Sequence, residues 1–242
     1  MSGHSKWNNI KHKKEKTDAQ RAKVFTKIGK EMAVAIRAGG ADPAVNGKLR
    51  DLISKAKSLN VPNDNIDRII KKFSGNNDVV YEEITYEGYG PSGVAVLVET
   101  TTDNRNRTAG NIRSYFSKFH GNLGQNGCVA FMFEEKGVIL VSDEDDEVSE
   151  DALMDAALEA GAADFAAEGD GCYEILTEPA DLEAVRDALA AQGFPIDSAE
   201  LEKVPVTYTA LTNEDDVKMM ELLLEKLEDD DDVQNVYHNW EN

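Results

Sequence analysis

Lys23, Lys27, Lys30 and Arg37 recur at intervals of four, three and seven residues, which sets all four cations along one face of a helix. Like charges one turn apart repel by roughly 0.2 to 0.5 kcal/mol, and a merely solvated face usually interleaves acids, so this row is suited to opposing a row of anions such as backbone phosphates. Glu31 is the only acid near the row, and it lies at its edge. Five further lysines, Lys6, Lys11, Lys13, Lys14 and Lys16, stand in the first sixteen residues beside Trp7 and His12. Planar side chains among lysines admit two uses: stacking on unpaired bases, or docking the segment onto its own protein. Arg105, Arg107 and Arg113 form a third group, and they too have two readings, a phosphate contact or pairing with nearby acids.

Charge is divided unevenly along the chain. Residues 1–72 hold 17 of the 26 Lys and Arg but only 7 of the 46 Asp and Glu, a net +10, and the other 170 residues come to −30. A basic head on an acidic body meets a polyanion in one orientation only, which points to nucleic acid as the partner. Catalysis is not expected: Gly-x-Ser-x-Gly, His-Glu-x-x-His and a Gly-Lys-Ser/Thr phosphate loop are all missing. His4 and His12 have no third ligand at useful spacing, and the acidic runs 143–147 and 229–232 lack calcium-loop spacing and read as solvated loops. No metal, cofactor or small-molecule substrate is therefore expected. Two cysteines, Cys128 and Cys172, are too few for a disulfide scaffold. With no membrane-length apolar stretch and no signal-peptide pattern, a cytoplasmic monomer is the expectation.

These side chains need elements to hold them. Residues 1–16 show no periodicity and read as a basic arm, and Thr17 and Gln20 have capping-box spacing. Three amphipathic helices follow within 17–76. The first runs to Gly39-Gly40 and buries Phe25, Ile28, Met32, Ala35 and Ile36. The second, from Asn46 to about Leu59, buries Leu49, Leu52, Ile53 and Ala56, and the third, after Pro62, buries Ile66, Ile69, Ile70 and Phe73.

The acidic body starts with strands over 79–86 and 94–101 around a turn at 88–93, a helix near Thr108 burying Ile112, Tyr115, Phe116 and Phe119, and a strand over 128–133. From Val138 the order is β-α-β-β-α-β, that of a ferredoxin-like unit. A strand over 206–211, a helix behind Asn213 and a strand over 233–238 complete the chain. The outer pieces have too few layers to stand alone, so an α+β fold is expected: the arm and bundle, a discontinuous α+β domain of 77–135 plus 205–242, and a ferredoxin-like domain of 136–204 inserted into it.

With the arm and the loop at 103–107 in view, the chain closely resembles the YebC family, which includes the mitochondrial translational activator of cytochrome c oxidase. The matching residues are Gly3-His4-Ser5-Lys6-Trp7, Lys11-His12-Lys13, Phe25-Thr26-Lys27, Tyr86-Glu87-Gly88-Tyr89-Gly90-Pro91, Asp103-Asn104-Arg105-Asn106-Arg107-Thr108, Gly121-Asn122-Leu123-Gly124 and Val236-Tyr237-His238-Asn239. They span essentially the full length. The resemblance implies the same three-domain fold and a regulator of gene expression, described in the family both as a DNA-binding transcriptional regulator and as a translation factor acting on ribosomes stalled at proline-rich stretches. An RNA-directed role at the ribosome is favoured here, because no helix carries Asn, Gln and Arg at base-reading spacing and a body at −30 is repelled by a long duplex. Duplex-DNA binding is the alternative.

Overall fold

A computed structural model of the protein describes residues 18–75, 79–143, 148–169 and 171–241. The arm at 1–16, the cap expected at Thr17 and the acidic residues 144–147 lie outside them. In chain order the helices are α1 (Asp18–Gly39), α2 (Gly47–Ser58), α3 (Asn63–Phe73), α4 (Arg105–Lys118), α5 (Glu150–Ala160), α6 (Leu182–Ala191) and α7 (Glu214–Glu228). The strands are β1 (Glu82–Tyr89), β2 (Ala95–Thr102), β3 (Asn122–Leu123), β4 (Phe133–Ser142), β5 (Asp164–Gly169), β6 (Cys172–Thr177), β7 (Ile196–Pro205), β8 (Thr209–Ala210), β9 (Val233–His238) and β10 (Trp240–Glu241). Among the described residues, 18–129 and 212–238 make one compact unit, and 130–211 with 239–241 make another.

The first unit begins with the three helices. Ile28, Met32, Ala35 and Ile36 of α1 close on Leu49, Leu52 and Ala56 of α2 and on Ile66 of α3, with Phe25, Ile53, Ile69, Ile70 and Phe73 partly buried around them. One side chain locks the corner between α1 and α2. The buried Asn46 accepts the Leu49 N–H at 3.1 Å as the cap of α2, and its amide donates to the carbonyls of Ala35 at 2.9 Å and Gly40 at 2.7 Å. One amide thus ties the end of α1 to the start of α2, serving the unpartnered Leu49 N–H and the Gly40 carbonyl and adding a second acceptor contact at Ala35.

In the same unit β3, β1, β2 and β9 form an antiparallel sheet in that order. β2 is central, hence its run of buried apolar residues from Ala95 to Val98. Ile112 and Phe116 of α4 and Met220, Leu223 and Leu227 of α7 are buried. Gly88, expected to open the turn, is instead paired inside β1, opposite Val96. A Cβ there would stand 2.7 Å from the Phe116 ring and 2.7 Å from the Asn122 carbonyl, so the strand passes under α4 only as glycine. The strand expected over 128–133 does not form. The buried Glu87 carboxylate takes the N–H groups of Gly127 (2.6 Å) and Val129 (2.8 Å), donors a ladder would need, and Ala130–Met132 make a 3₁₀ turn before β4.

The second unit has the predicted β-α-β-β-α-β order, and its antiparallel sheet runs β5-β6-β4-β7. Ile139, Val141, Tyr173 and Ile175 of the sheet pack with Leu153, Ala156 and Ala157 of α5 and Leu182, Val185 and Leu189 of α6. Alternate residues Val138 and Leu140 face the other way with Cys172. The strand expected over 206–211 shortens to β8, which pairs in parallel with β10.

Replacing Asn46 by Ala is expected to destabilise the protein by about 2 to 3 kcal/mol, since a cap and two further hydrogen bonds are lost. Asn46→Asp keeps the acceptor but sets a carboxylate against two carbonyls, and recovers little of that loss. Urea unfolding followed by circular dichroism checks both, and a loss below about 0.5 kcal/mol for the Ala variant would show that the corner does not depend on this amide.

Candidate nucleic-acid interface

The lysine row of α1 is opposed from within the chain. Lys23 is hydrogen-bonded to the Asp229 carboxylate and lies 3.3 Å from the Asp229 carbonyl, while Lys27 donates to the Glu228 carbonyl at 2.7 Å. Lys30 donates to the Asp231 carbonyl at 2.8 Å and to Asp232 Oδ1 at 2.6 Å. These acceptors belong to the end of α7 and the loop that leads into β9. The last carbonyls of a helix lack intrahelical donors and sit at the negative end of its dipole, so Lys23 and Lys27 there satisfy hydrogen bonds and charge together, while Lys30 meets the loop beyond.

Asp232 is the centre of the arrangement. Its side chain is 5% exposed, and Oδ2 receives Arg107 Nη2 at 2.7 Å and the Thr108 hydroxyl at 2.8 Å. Its carbonyl accepts the Thr101 N–H at 2.8 Å, which ties the loop to the end of β2. Asn104 caps α4 by accepting the Arg107 N–H at 3.1 Å, and this start brings Arg107 and Thr108 to the carboxylate. Burial alone would raise the Asp232 pKa, but hydrogen bonds from Lys30, Arg107 and Thr108 outweigh it and hold the carboxyl at about 2. Beside it, Asp230 accepts the Tyr115 hydroxyl at 2.8 Å, and burial together with this bond pushes the phenol up to about 12. Burial lowers the Lys27 ammonium, whereas the hydrogen bond to Asp229 raises that of Lys23. A cleft of about 500 Å³ opens here, with Tyr81, Arg107, Asn111, Tyr115 and Lys226 on its walls.

The structure therefore corrects two expectations. The lysine face of α1 is not an unopposed outward surface, and 229–232 is not simply a solvated loop, since Asp232 is buried, Asp230 is half-buried and only Asp229 and Asp231 are exposed. Asp143 is likewise buried, its carboxylate accepting the Val148 N–H at 2.7 Å. Of the three arginines, Arg107 pairs with acids, Asp103 at 2.9 Å and Asp232 at 2.7 Å. Arg105 and Arg113 are exposed on α4, and Arg37 is exposed in the last turn of α1. Lys6, Trp7, Lys11, His12, Lys13, Lys14 and Lys16 lie outside the described residues. The residues not anticipated are Asp230, Asp232, Thr108 and Tyr115. For Asp230 and Asp232 the sequence holds one signal, four consecutive aspartates in 229–232 that could oppose a one-sign row, and for Thr108 and Tyr115 it holds none.

The model of the TACO1/YebC protein N-terminal domain matches residues 5–76, and that of the TACO1/YebC second and third domain matches 81–240. The chain belongs to the TACO1/YebC family. It is 58% identical over 241 residues to a probable transcriptional regulatory protein of Acetivibrio thermocellus, with 99% of each chain covered. It is also 58% identical over 242 residues to a protein of the same name in Ruminiclostridium cellulolyticum, covering 100% of this chain and 97% of that one. The crystal structure of a conserved hypothetical protein from Aquifex aeolicus superposes with a TM-score of 0.84 at 44% identity, covering 94% of this chain and 93% of that one. Both relatives are named as probable transcriptional regulatory proteins, a description that is not of an enzyme class. Among the described residues no helix is long and apolar enough to cross a membrane.

Asp232→Asn leaves Lys30 and Arg107 facing a neutral amide and is expected to destabilise the protein by about 2 to 4 kcal/mol at neutral pH. Folding lowers this carboxyl from 3.8 to about 2, so its contribution is complete above the unfolded value and is lost as pH falls from about 4 to 2. Denaturation of the two proteins across pH 2 to 7 should show a constant gap above about pH 5 that narrows below 4. A gap that stayed constant down to pH 2 would remove the ionised carboxylate from the account.

Proposed function

We propose that this protein is a nucleic-acid-binding regulator that acts in translation, gripping ribosomal RNA through backbone phosphates and supporting elongation through stalling, proline-rich stretches. The observation that carries the reading is the separation of charge: a head at +10 on a body at −30. Contacts would come from the arm lysines Lys6, Lys11, Lys13, Lys14 and Lys16, with Trp7 and His12, and from exposed cations of the bundle and α4 such as Arg37, Lys57, Lys71, Arg105 and Arg113. The packing of α1 favours RNA over duplex DNA, because the helix with the most regular row of cations has that row against acids of its own chain, where it is not laid out for a major groove. No cofactor or small substrate enters this reading, and the protein acts as a monomer in the cytoplasm.

The second reading, a duplex-DNA-binding transcriptional regulator, is favoured by the names of the relatives. It requires sequence preference of roughly 10³ or more over non-specific DNA.

Sedimentation of the purified protein with 70S ribosomes at about 150 mM salt, with excess duplex DNA as competitor, separates the two. Saturable, near-stoichiometric co-sedimentation that survives the DNA is expected. Complete loss to the competitor, with tight retention on particular DNA sequences, would overturn the translation reading in favour of the second.

A further inference from the structure

We propose that residues 228–232 are an internal competitor for RNA: the segment occupies the lysine face of α1 at rest, and RNA phosphates reach Lys23 and Lys27 only by displacing the exposed carboxylates of Asp229 and Asp231. The inference rests on the nucleic-acid reading above and concerns how that binding is controlled.

Three features of the contact carry it. The first is the match between the two rows. Lys23, Lys27 and Lys30 rise along the helix in steps of about 6 and 4.5 Å, and oxygens of residues 228, 229, 231 and 232 occupy all three ammonium groups, each in a position a phosphate would otherwise take. The second is a gradient of firmness. Lys23 and Asp229 are 39% and 53% exposed, a screened and weak pair, whereas Lys30 and Asp232 are 12% and 5% exposed and Asp232 also accepts Arg107 and Thr108. The backbone is therefore held on both sides, by Asp232 and by the buried Leu227 at the end of α7, while the exposed carboxylates of Asp229 and Asp231 can swing away from the lysines with the fold intact.

The third feature is the middle lysine. Lys27 is held by a carbonyl dipole of Glu228, and its hydrogen bond goes to no carboxylate. A partly buried ammonium in that position gains more from a full anion than from the group it has. A tethered competitor of modest strength is effective because it is always present at high local concentration. Its release would make the lysine face available only to a polyanion that already touches the protein elsewhere, so weak and accidental contacts with single phosphates would not open it.

The test uses the full-length chain and fluorescence anisotropy with a labelled single-stranded RNA of about twenty uridines, a length that exceeds a typical single-strand footprint. Asp229→Asn/Asp231→Asn removes the two exposed carboxylates and spares Asp232. Asp155→Asn/Glu159→Gln removes two exposed acids of α5, in the other unit, and serves as the control for net charge. The first variant is expected to bind about 3- to 10-fold more tightly at 150 mM salt and to steepen the dependence of log K on log salt by about one unit, while the control changes affinity less than about twofold. Adding Lys23→Gln/Lys27→Gln to the first variant should abolish the gain. Asp229→Asn alone should show a smaller gain in the same direction, which keeps the test intact should the double variant fold poorly. Wild type and variant binding RNA equally, or an equal gain in the control, would overturn the competitor while leaving the nucleic-acid reading in place. If neither wild type nor any variant bound the RNA, that reading would fall and the competitor with it.

Discussion

A carboxylate as deeply buried as that of Asp232 is tolerable only if donors surround it, and in this protein the donors come from separate elements: Lys30 from α1, Arg107 and Thr108 from α4. The backbone of the same residue receives the Thr101 N–H at the end of β2. Much of the first unit follows from meeting that requirement. Because the groups are far apart in sequence, they converge only when the bundle, the sheet and the α7–β9 loop are all in place, so the cluster rewards the assembled unit and no fragment of it. The same geometry resolves two further problems, the mutual repulsion of the α1 lysines and the open carbonyls at the end of α7.

The surrounding structure supports the loop as a shaped element. Asp230 takes the Tyr115 hydroxyl on one oxygen and the N–H of Asp232 on the other, so the backbone turns tightly enough to aim the Asp232 carboxylate inward. Lys226 lies 5.5 Å from the centre of the Tyr115 ring and 3.8 Å from Asp229, adding a cation to the exposed side. Such rim contacts are worth little individually. Their effect is to leave exposed, yielding side chains at Asp229 and Asp231 around the firm inner carboxylate of Asp232.

How much of this was legible in the sequence depends on how local the cause is. The apolar stripes of α1, α2 and α3 and the β-α-β-β-α-β order arise from burial periodicity within each element, and both are legible in spacing alone. The apolar run over 128–133 failed as a strand because Glu87, some forty residues earlier, claims the backbone donors of the loop before it. The lysine row was recognised, but its partner was sought outside the molecule, since periodicity within α1 carries no information about a loop some two hundred residues away. Arg107 shows the same limit: its spacing was compatible with phosphate and with acids, and only the fold set Asp232 beside it.

Internal pairing also changes how the charge of the whole chain should be interpreted. A head at +10 suggests a surface that attracts any polyanion, yet part of that charge already faces aspartates of the same unit. The field seen from solution is weaker at α1 than the residue count implies, and relatively stronger at cations with no such partner, Arg37 and Arg113 among the described residues. On the nucleic-acid reading proposed above, attraction at long range and contact at short range fall to different residues: exposed cations would govern encounter and its sensitivity to salt, and the covered lysines would add affinity only after the partner has arrived. A protein arranged in this way would resist indiscriminate capture by nucleic acid while retaining a reserve of binding charge, and on that reading the acidity of its body, down to the aspartates that lie on α1, serves the discrimination.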